Sequence, residues 1–548
     1  MDLLITIFTL VAAIYAVMPR DRQLELRLRV GPADWALLLA GFLFVLYLEF
    51  YDFFLLRGLV FSRPWPRGLT PRNSMYLVML VVISIVGARI RFSHLTKGKM
   101  LKFRELVEEL SWKESYGELL TLFQRHVIEL FRIYESKFFL SRVRRLLDRH
   151  TSPRMEDTIS RFLAISETTL PRRTHPVRER IAEWSLSSVR PLLSSLKRFL
   201  PDDVKSQEFA RDVERTLLLS PRFVGALAKT RPYLAIEVME KSRKCQERFD
   251  FIDIYLKALI DDHQSVLYSE IRNNQNCTSY RYFLAPSNRL LFFLLSDPEA
   301  AKEDHIYKPI GDYALSYLDE LARDSRTDPY NRAMGDFEDV GAWQSPLFVT
   351  IRFFDIMVKE ALFRGMEWHM WLYYIPDVVR GMARNYRLND PLADPLNEWP
   401  IRYSFLLYQA FSAMRDWIVA VEDIPADQPN IVLKSTGTDH ENGNIPKSSI
   451  LALAESARHV LESDHIPARQ KNYLLDMVFH IYFRLRPTPT LEPYAVALRN
   501  AVSDGGFFRR HDDRKYRIAL QAAFGENKRE YLIKNSEAYV YELQNSLS

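Results

Sequence analysis

The stretch Tyr76–Phe92, YLVMLVVISIVGARIRF, opens apolar and closes on Arg89 and Arg91. Whether it crosses a membrane decides how the rest of the chain is read. Two further apolar runs precede it: Leu3–Met18, LLITIFTLVAAIYAVM, and Trp35–Leu56, WALLLAGFLFVLYLEFYDFFLL. A hydrocarbon core of about 30 Å takes about 20 apolar helical residues. The first and third runs are at the short end, and Arg20, Arg89 and Arg91 can extend their reach by snorkelling. Any one run reads equally well as a buried core helix. Three of them within the first ninety residues read together as a transmembrane anchor over 1–92, with helices at about 3–18, 35–56 and 75–91. The first run is not read as a signal peptide. Only Asp2 precedes it, and Ala13-Ile14-Tyr15-Ala16 does not fit a small-residue cleavage pattern.

Orientation follows from the basic residues in short flanks. The first loop holds Arg20, Arg22, Arg27 and Arg29, and the second Arg57, Arg63, Arg67 and Arg72. After the third run come Arg89, Arg91, Lys97, Lys99, Lys102 and Arg104. Placing the first loop and the long remainder inside gives ten basic residues inside against four outside. The expectation is an integral protein of a bacterial inner (plasma) membrane, with the N-terminus outside and the bulk cytoplasmic.

Charge distribution agrees. The first hundred residues hold 12 Lys+Arg and 6 Asp+Glu; subtraction from the totals of 74 and 69 leaves 62 and 63 for the rest. The whole basic excess therefore lies beside the apolar runs. That favours lipid head groups as the partner and argues against nucleic acid, despite a pI near 8.9. Two cysteines, Cys245 and Cys277, in 548 residues fit a reducing compartment and read as free buried thiols. One bridge between them remains compatible with the sequence.

Beyond residue 100 apolar residues recur at spacings of three and four, and 12 glycines serve 448 residues. The fold class is mainly α: the anchor, then a large irregular helical region, bundle or solenoid-like. Residues 93–150 read as long juxtamembrane helices, 151–200 as a basic, Pro- and Ser-containing connector, and 201–548 as the helical cytoplasmic domain. Ser111 and Glu114 have capping-box spacing. From Tyr116 a stripe runs through Leu120, Phe123, Val127, Leu130 and Tyr134. It reads as a packed helix, with self-association as the sharper alternative. Basic stretches at Ser141–His150 and Pro171–Arg180 read as solvated, with anionic lipid the alternative. Breaks such as LSPRF, LAPSNR, SDPEAA, TDPYNRAMGD, NDPLADPLNEWP and ADQPN separate later helices without a fixed period. The aromatic cluster Trp368–Tyr374 reads as core.

Chemistry is harder to find. Walker A, G-x-G-x-x-G, H-E-x-x-H and G-x-S-x-G patterns are absent, and no two histidines stand four apart. Glu462 to His465 gives one E-x-x-H, read as a helix end. His511-Asp512 resembles the HD phosphohydrolases over two residues only; Asp513 is the last aspartate, so the later ligand of that family has no counterpart. Asp439, His440 and Glu441 lie in a polar loop whose glycine is misplaced for an EF-hand. Asp261–His263 carries no further signal. Glu49 and Asp52 interrupt the second run and, at i and i+3, would share a helix face. They are candidates for proton or cation handling, or solvated at the outer interface. No catalytic, cofactor or metal residues are assigned. The expected function is a membrane-anchored interaction, scaffold or sensing protein, binding a protein partner or itself. The alternatives are a membrane-bound enzyme, or an oligomeric transport protein using Glu49 and Asp52.

Overall fold

A computed structural model describes residues 15–58, 70–91, 94–135, 204–323, 327–367, 371–425, 427–437, 444–506 and 514–547, with Thr9 and Ala13. The chain is mainly helical and divides into two compact units: Met1–Phe223 with Lys241–Cys245, and Val224–Glu240 with Gln246–Ser548. Most of the first apolar run, most of the second loop, the 151–200 connector and both basic stretches at 141–150 and 171–180 lie outside the described residues.

In the first unit the helices are α1 (Arg20–Arg29), α2 (Pro32–Glu49), α3 (Tyr51–Leu56), α4 (Pro71–Arg91), α5 (Met100–Trp112), α6 (Tyr116–Tyr134) and α7 (Val204–Leu218). Three sequence expectations change here. The first loop is itself helical: α1 buries Leu24 and Leu28 and packs on α6. The second run starts earlier, where Pro32 takes the first helical turn and Asp34 accepts from the Gly31 N–H at 2.8 Å. It also breaks at Phe50, which separates α2 from α3, so Glu49 and Asp52 do not share one regular helix. Among the described residues no single helix is long and apolar enough to cross a membrane. The α1–α2 pair meets that test only together, across an 85° bend.

Ser111 and Glu114 do not cap a helix start. They end α5: the Glu114 N–H donates to Ser111 O at 3.1 Å and the Ser115 N–H to Leu110 O at 3.0 Å. Glu114 takes φ 53°, the left-handed position of a Schellman motif that glycine usually fills. The stripe on α6 is buried within the unit. Leu120, Phe123, Val127 and Leu130 pack against α5 and α7, with Phe123 edge-on to Phe223 at 5.6 Å. Helix α6 is thus packed within this unit.

The second unit continues through α8 (Pro221–Thr230), α9 (Pro232–Lys241), α10 (Arg248–Asp261), α11 (Val266–Asn273), β1 (Cys277–Thr278), β2 (Arg281–Tyr282), α12 (Arg289–Leu295), α13 (Pro298–Glu303) and α14 (Tyr307–Arg323). Then come α15 (Pro346–Phe363), α16 (Tyr374–Asn385), α17 (Arg402–Val419), α18 (Ile445–Glu462), α19 (Ala468–Leu485), α20 (Glu492–Asp504), α21 (Arg514–Lys534) and α22 (Glu537–Leu547). From α14 onward each helix packs beside the one two places further on: α14, α16, α18 and α20 in one series, α15, α17, α19 and α21 in the other. Cross-contacts join the two series into a layered array. Helices α15 and α18 are buried almost all round.

Three helices of this unit start on side-chain caps, one of them at the SDPEAA break. Asp297 accepts from the Ala300 N–H ahead of Pro298, Ser345 from Phe348 ahead of Pro346, and Asn444 from Lys447. Of the aromatic cluster, Trp368–Met370 lie outside the described residues. Leu372 is buried and Tyr374 packs 5.9 Å from Phe354, so the described part is core. No disulfide joins Cys245 and Cys277; Cys245 is buried and Cys277 is exposed, the latter against expectation.

Candidate functional site

Helices α2 and α4 form an antiparallel hairpin. At one end Asp34 meets Arg89 at 3.1 Å. Midway, a Cβ on Gly41 would stand 2.9 Å from Cγ2 of Val82, so only glycine lets the backbones approach this closely. Towards the other end Val45, Leu48 and Met75 are buried together with Tyr47 and Val78 against them. The outward side chains are also apolar and large. Trp35 is 66% exposed and Leu80 67%, joined by Leu39, Leu43, Leu77 and Ile83. Beyond Phe50, α3 buries no side chain; Tyr47 stacks on Phe54 at 5.5 Å and Arg57 lies 5.8 Å over the Phe53 ring. Glu49 and Asp52 are both exposed near this end.

The Asp34 end is basic and tightly organised. Lys99 Nζ donates to Arg29 O at 2.8 Å, and Lys102 Nζ to Val30 O at 3.0 Å, so ammonium groups cap the carbonyl end of α1. Arg29 donates to Arg91 O at 3.1 Å and pairs with Glu25, which also pairs with Arg125 on α6. Arg20 reaches Glu118 at 3.2 Å and Arg27 reaches Glu109 at 3.6 Å. Burial pushes Lys99 below the usual lysine value; Asp34 opposes this, while Arg29, Lys102 and Arg89 add to it. These bonds tie the first-loop arginines and the flank after α4 to one end of the hairpin.

The second unit holds a buried ionic cluster. Asp355 and Lys359 stand one turn apart on α15. Asp355 accepts from Tyr282 OH at 2.6 Å, from Trp417 Nε1 at 2.8 Å and from Lys359 at 3.1 Å; Lys359 also reaches Asp416 at 3.4 Å. The turn between β1 and β2 puts Ser279 and Tyr280 at positive φ and delivers Tyr282 to this place. Burial alone would lower Lys359, but Asp355 and Asp416 more than offset it and hold the ammonium above its usual value. Desolvation beside this cluster pushes the Cys277 thiol above its usual value. Donors already occupy both Asp355 oxygens, so the cluster joins β2, α15 and α17 as a strut.

The remaining candidates disperse. Asp439, His440, Glu441, His511, Asp512 and Asp513 lie outside the described residues. Glu462 is the last residue of α18, and Asp464 pairs with Lys515 at 2.8 Å, so E-x-x-H marks a helix end as read. Asp261 ends α10 and accepts from Tyr313 OH at 2.8 Å. Among the described residues no group of three or more His, Cys, Asp or Glu is gathered as for a metal ion. Sequence reasoning missed two pairs. Asp355 and Lys359 do leave a signal, as charges inside the apolar run Pro346–Phe363. Asp34 and Arg89 leave none, since their meeting depends on the hairpin closing.

No protein-family model, curated protein or solved structure matches the chain.

Proposed function

We propose that this chain is a membrane-tethered helical interaction protein, with the α2–α4 hairpin seated in the bilayer and the basic end on the cytoplasmic side. The observation that carries the reading is the hairpin's double apolarity. Its inner face closes through Gly41 and Val82, and its outer face still presents Trp35, Leu39, Leu43 and Leu80. Water would penalise that outer face, at about 25 cal/mol for each Å² of apolar surface left wet. Eighteen residues of α2 at about 1.5 Å each reach about 27 Å, near the hydrocarbon thickness. Arg89 and Arg91 can lengthen α4 by snorkelling. The ten-against-four count requires the first loop and the long remainder on one side, and the bonds from α1 to α5 and α6 are in keeping with that. The layered helices of the second unit suit a scaffold, because stacked helical arrays expose extended surfaces built from local contacts.

The test is fractionation of the full chain without detergent, with a reporter at the C-terminus. The expected result is a pellet that resists alkaline carbonate, and a reporter active inside the cell. Recovery in the supernatant, or a reporter active outside, would overturn the proposal.

A further inference from the structure

We infer that α1 lies along the cytoplasmic lipid–water boundary and that Trp112, at the turn between α5 and α6, enters the head-group layer as a second contact with the bilayer. The inference rests on the α2–α4 hairpin being seated in lipid and goes further by placing a named side chain outside it at the same surface. Helix α1 joins α2 across an 85° bend. With α2 along the membrane normal, α1 therefore runs nearly in the membrane plane. Its ten residues span about 15 Å and change depth by only about 1 Å. A tilt of about 20° for α2 would change that depth by about 5 Å, still within a head-group layer of about 6 Å.

Helix α5 runs back along α1. Lys102 Nζ donates to Val30 O at 3.0 Å just past the end of α1, Glu109 meets Arg27 at 3.6 Å, and Glu118, beyond the turn, meets Arg20 at 3.2 Å at the start of α1. These contacts keep the α5–α6 turn at the depth of α1, one length of α1 away from the hairpin. Trp112 is the last residue of α5 and stands 88% exposed. The carboxylates around it are paired: Glu109 with Lys113 at 2.5 Å, Glu108 with Arg104 at 2.8 Å, and Glu114 with Arg222. Paired carboxylates repel lipid phosphate less than bare ones do. A tryptophan suits this depth. Its ring lies against the upper acyl chains while Nε1–H stays with water or a head group, which concentrates the residue at membrane boundaries.

The experiment reconstitutes the full chain in phosphatidylcholine vesicles, with and without phosphatidylcholine brominated on its acyl chains, and reads tryptophan emission. Bromine quenches only on close approach, and the emission of Trp112 is the difference between the parent and Trp112→Phe. Leu80→Trp, on the outer face of the hairpin, reports in the same way whether the hairpin is in lipid. Both positions are exposed, so neither substitution disturbs a packed side chain. The expected result is loss of the Trp112 emission in brominated vesicles, greater with bromine near the glycerol end of the chains than with bromine near their tips, together with quenching of Leu80→Trp. Trp112 emission that is unchanged by bromine, or lost most to the deep bromine, beside a quenched Leu80→Trp overturns the head-group contact and leaves the tether standing. An unquenched Leu80→Trp overturns the tether and this inference with it.

Discussion

Lys359 Nζ stands 3.1 Å from Oδ1 of Asp355, one helical turn away, and the two side chains are 3% and 1% exposed. Removing one partner of such a pair strands a buried charge, at about 3–5 kcal/mol. The two ends are not equivalent. Asp355 also satisfies Tyr282 OH and Trp417 Nε1, so Asp355→Leu leaves both of these donors without an acceptor and Lys359 with Asp416 alone. Lys359→Met leaves Asp355 with Tyr282 and Trp417, and with Arg352 at 3.8 Å. Urea denaturation should therefore show the larger loss for Asp355→Leu. Equal losses would mean that the tyrosine and tryptophan bonds contribute nothing.

Closure of the hairpin depends on the missing side chain at residue 41. Gly41→Val inserts atoms within contact of Val82, and overpacking of this kind costs about 1–3 kcal/mol. Val82→Ala removes the methyl groups that would be struck. The double variant G41V/V82A should regain part of the midpoint lost by G41V, measured by thermal unfolding in mild detergent. No recovery would show that the crossing is not where the two residues place it.

Much of this architecture is readable locally, because helices are local. Spacings of three and four give the helical class, and Asp297, Ser345 and Asn444 announce helix starts through short-range caps. The same local logic misleads at Ser111. Its S-x-x-E pattern suits a helix start, yet Leu106, Val107 and Leu110 are buried and carry α5 through it, so the four residues close a helix instead. The apolar runs mark the hairpin, but their ends differ: Pro32 begins α2 and Phe50 breaks the second run. Asp34–Arg89 and Lys359–Asp416 join residues far apart in sequence, and periodicity carries no information about such partners.

His126 makes the first unit sensitive to acid. It is buried on α6 against Phe103, 5.8 Å between ring centroids, and its Nε2 has no hydrogen-bond partner among the described residues. Burial pushes its pKa below the usual value; Glu129 and Glu25 pull it up, and Arg29 and Arg125 push it down. The unfolded chain takes up the proton near pH 6.5 and the folded chain only at lower pH. Its contribution is therefore whole above about pH 6.5 and is lost as the pH falls through the folded value. Carboxylates add their own slope, so the readout is a difference between chains. Between about pH 7 and 5, His126→Leu should lose less stability than the parent. Parallel curves for the two chains would exclude this role.

Four helix ends share one hydrogen-bond pattern, with the N–H of Ser115, Ile306, Met366 or Gly506 donating five residues back. Glu114, His305, Gly365 and Gly505 occupy the left-handed position before them, at φ 53°, 52°, 81° and 75°. A side chain there costs about 1–2 kcal/mol, so Gly365→Ala should cost about 1 kcal/mol, since a Cβ at Gly365 meets nothing within 4 Å. Glu114→Gly relieves the same strain and gives up only an exposed pair with Arg222, so it should leave stability unchanged or raise it. Gly506 differs in kind. It lies at φ 95°, and a Cβ would stand 2.6 Å from the Glu455 Cβ and 2.7 Å from the Glu455 backbone N and Cα on α18. Backbone cannot step aside as a flexible side chain can, so Gly506→Ala should cost more than Gly365→Ala by about 1–3 kcal/mol. Chemical denaturation of the three single variants orders them as Glu114→Gly, Gly365→Ala, Gly506→Ala from most to least stable; a Gly506→Ala chain as stable as Gly365→Ala would disprove the close approach of the 505–506 turn to α18.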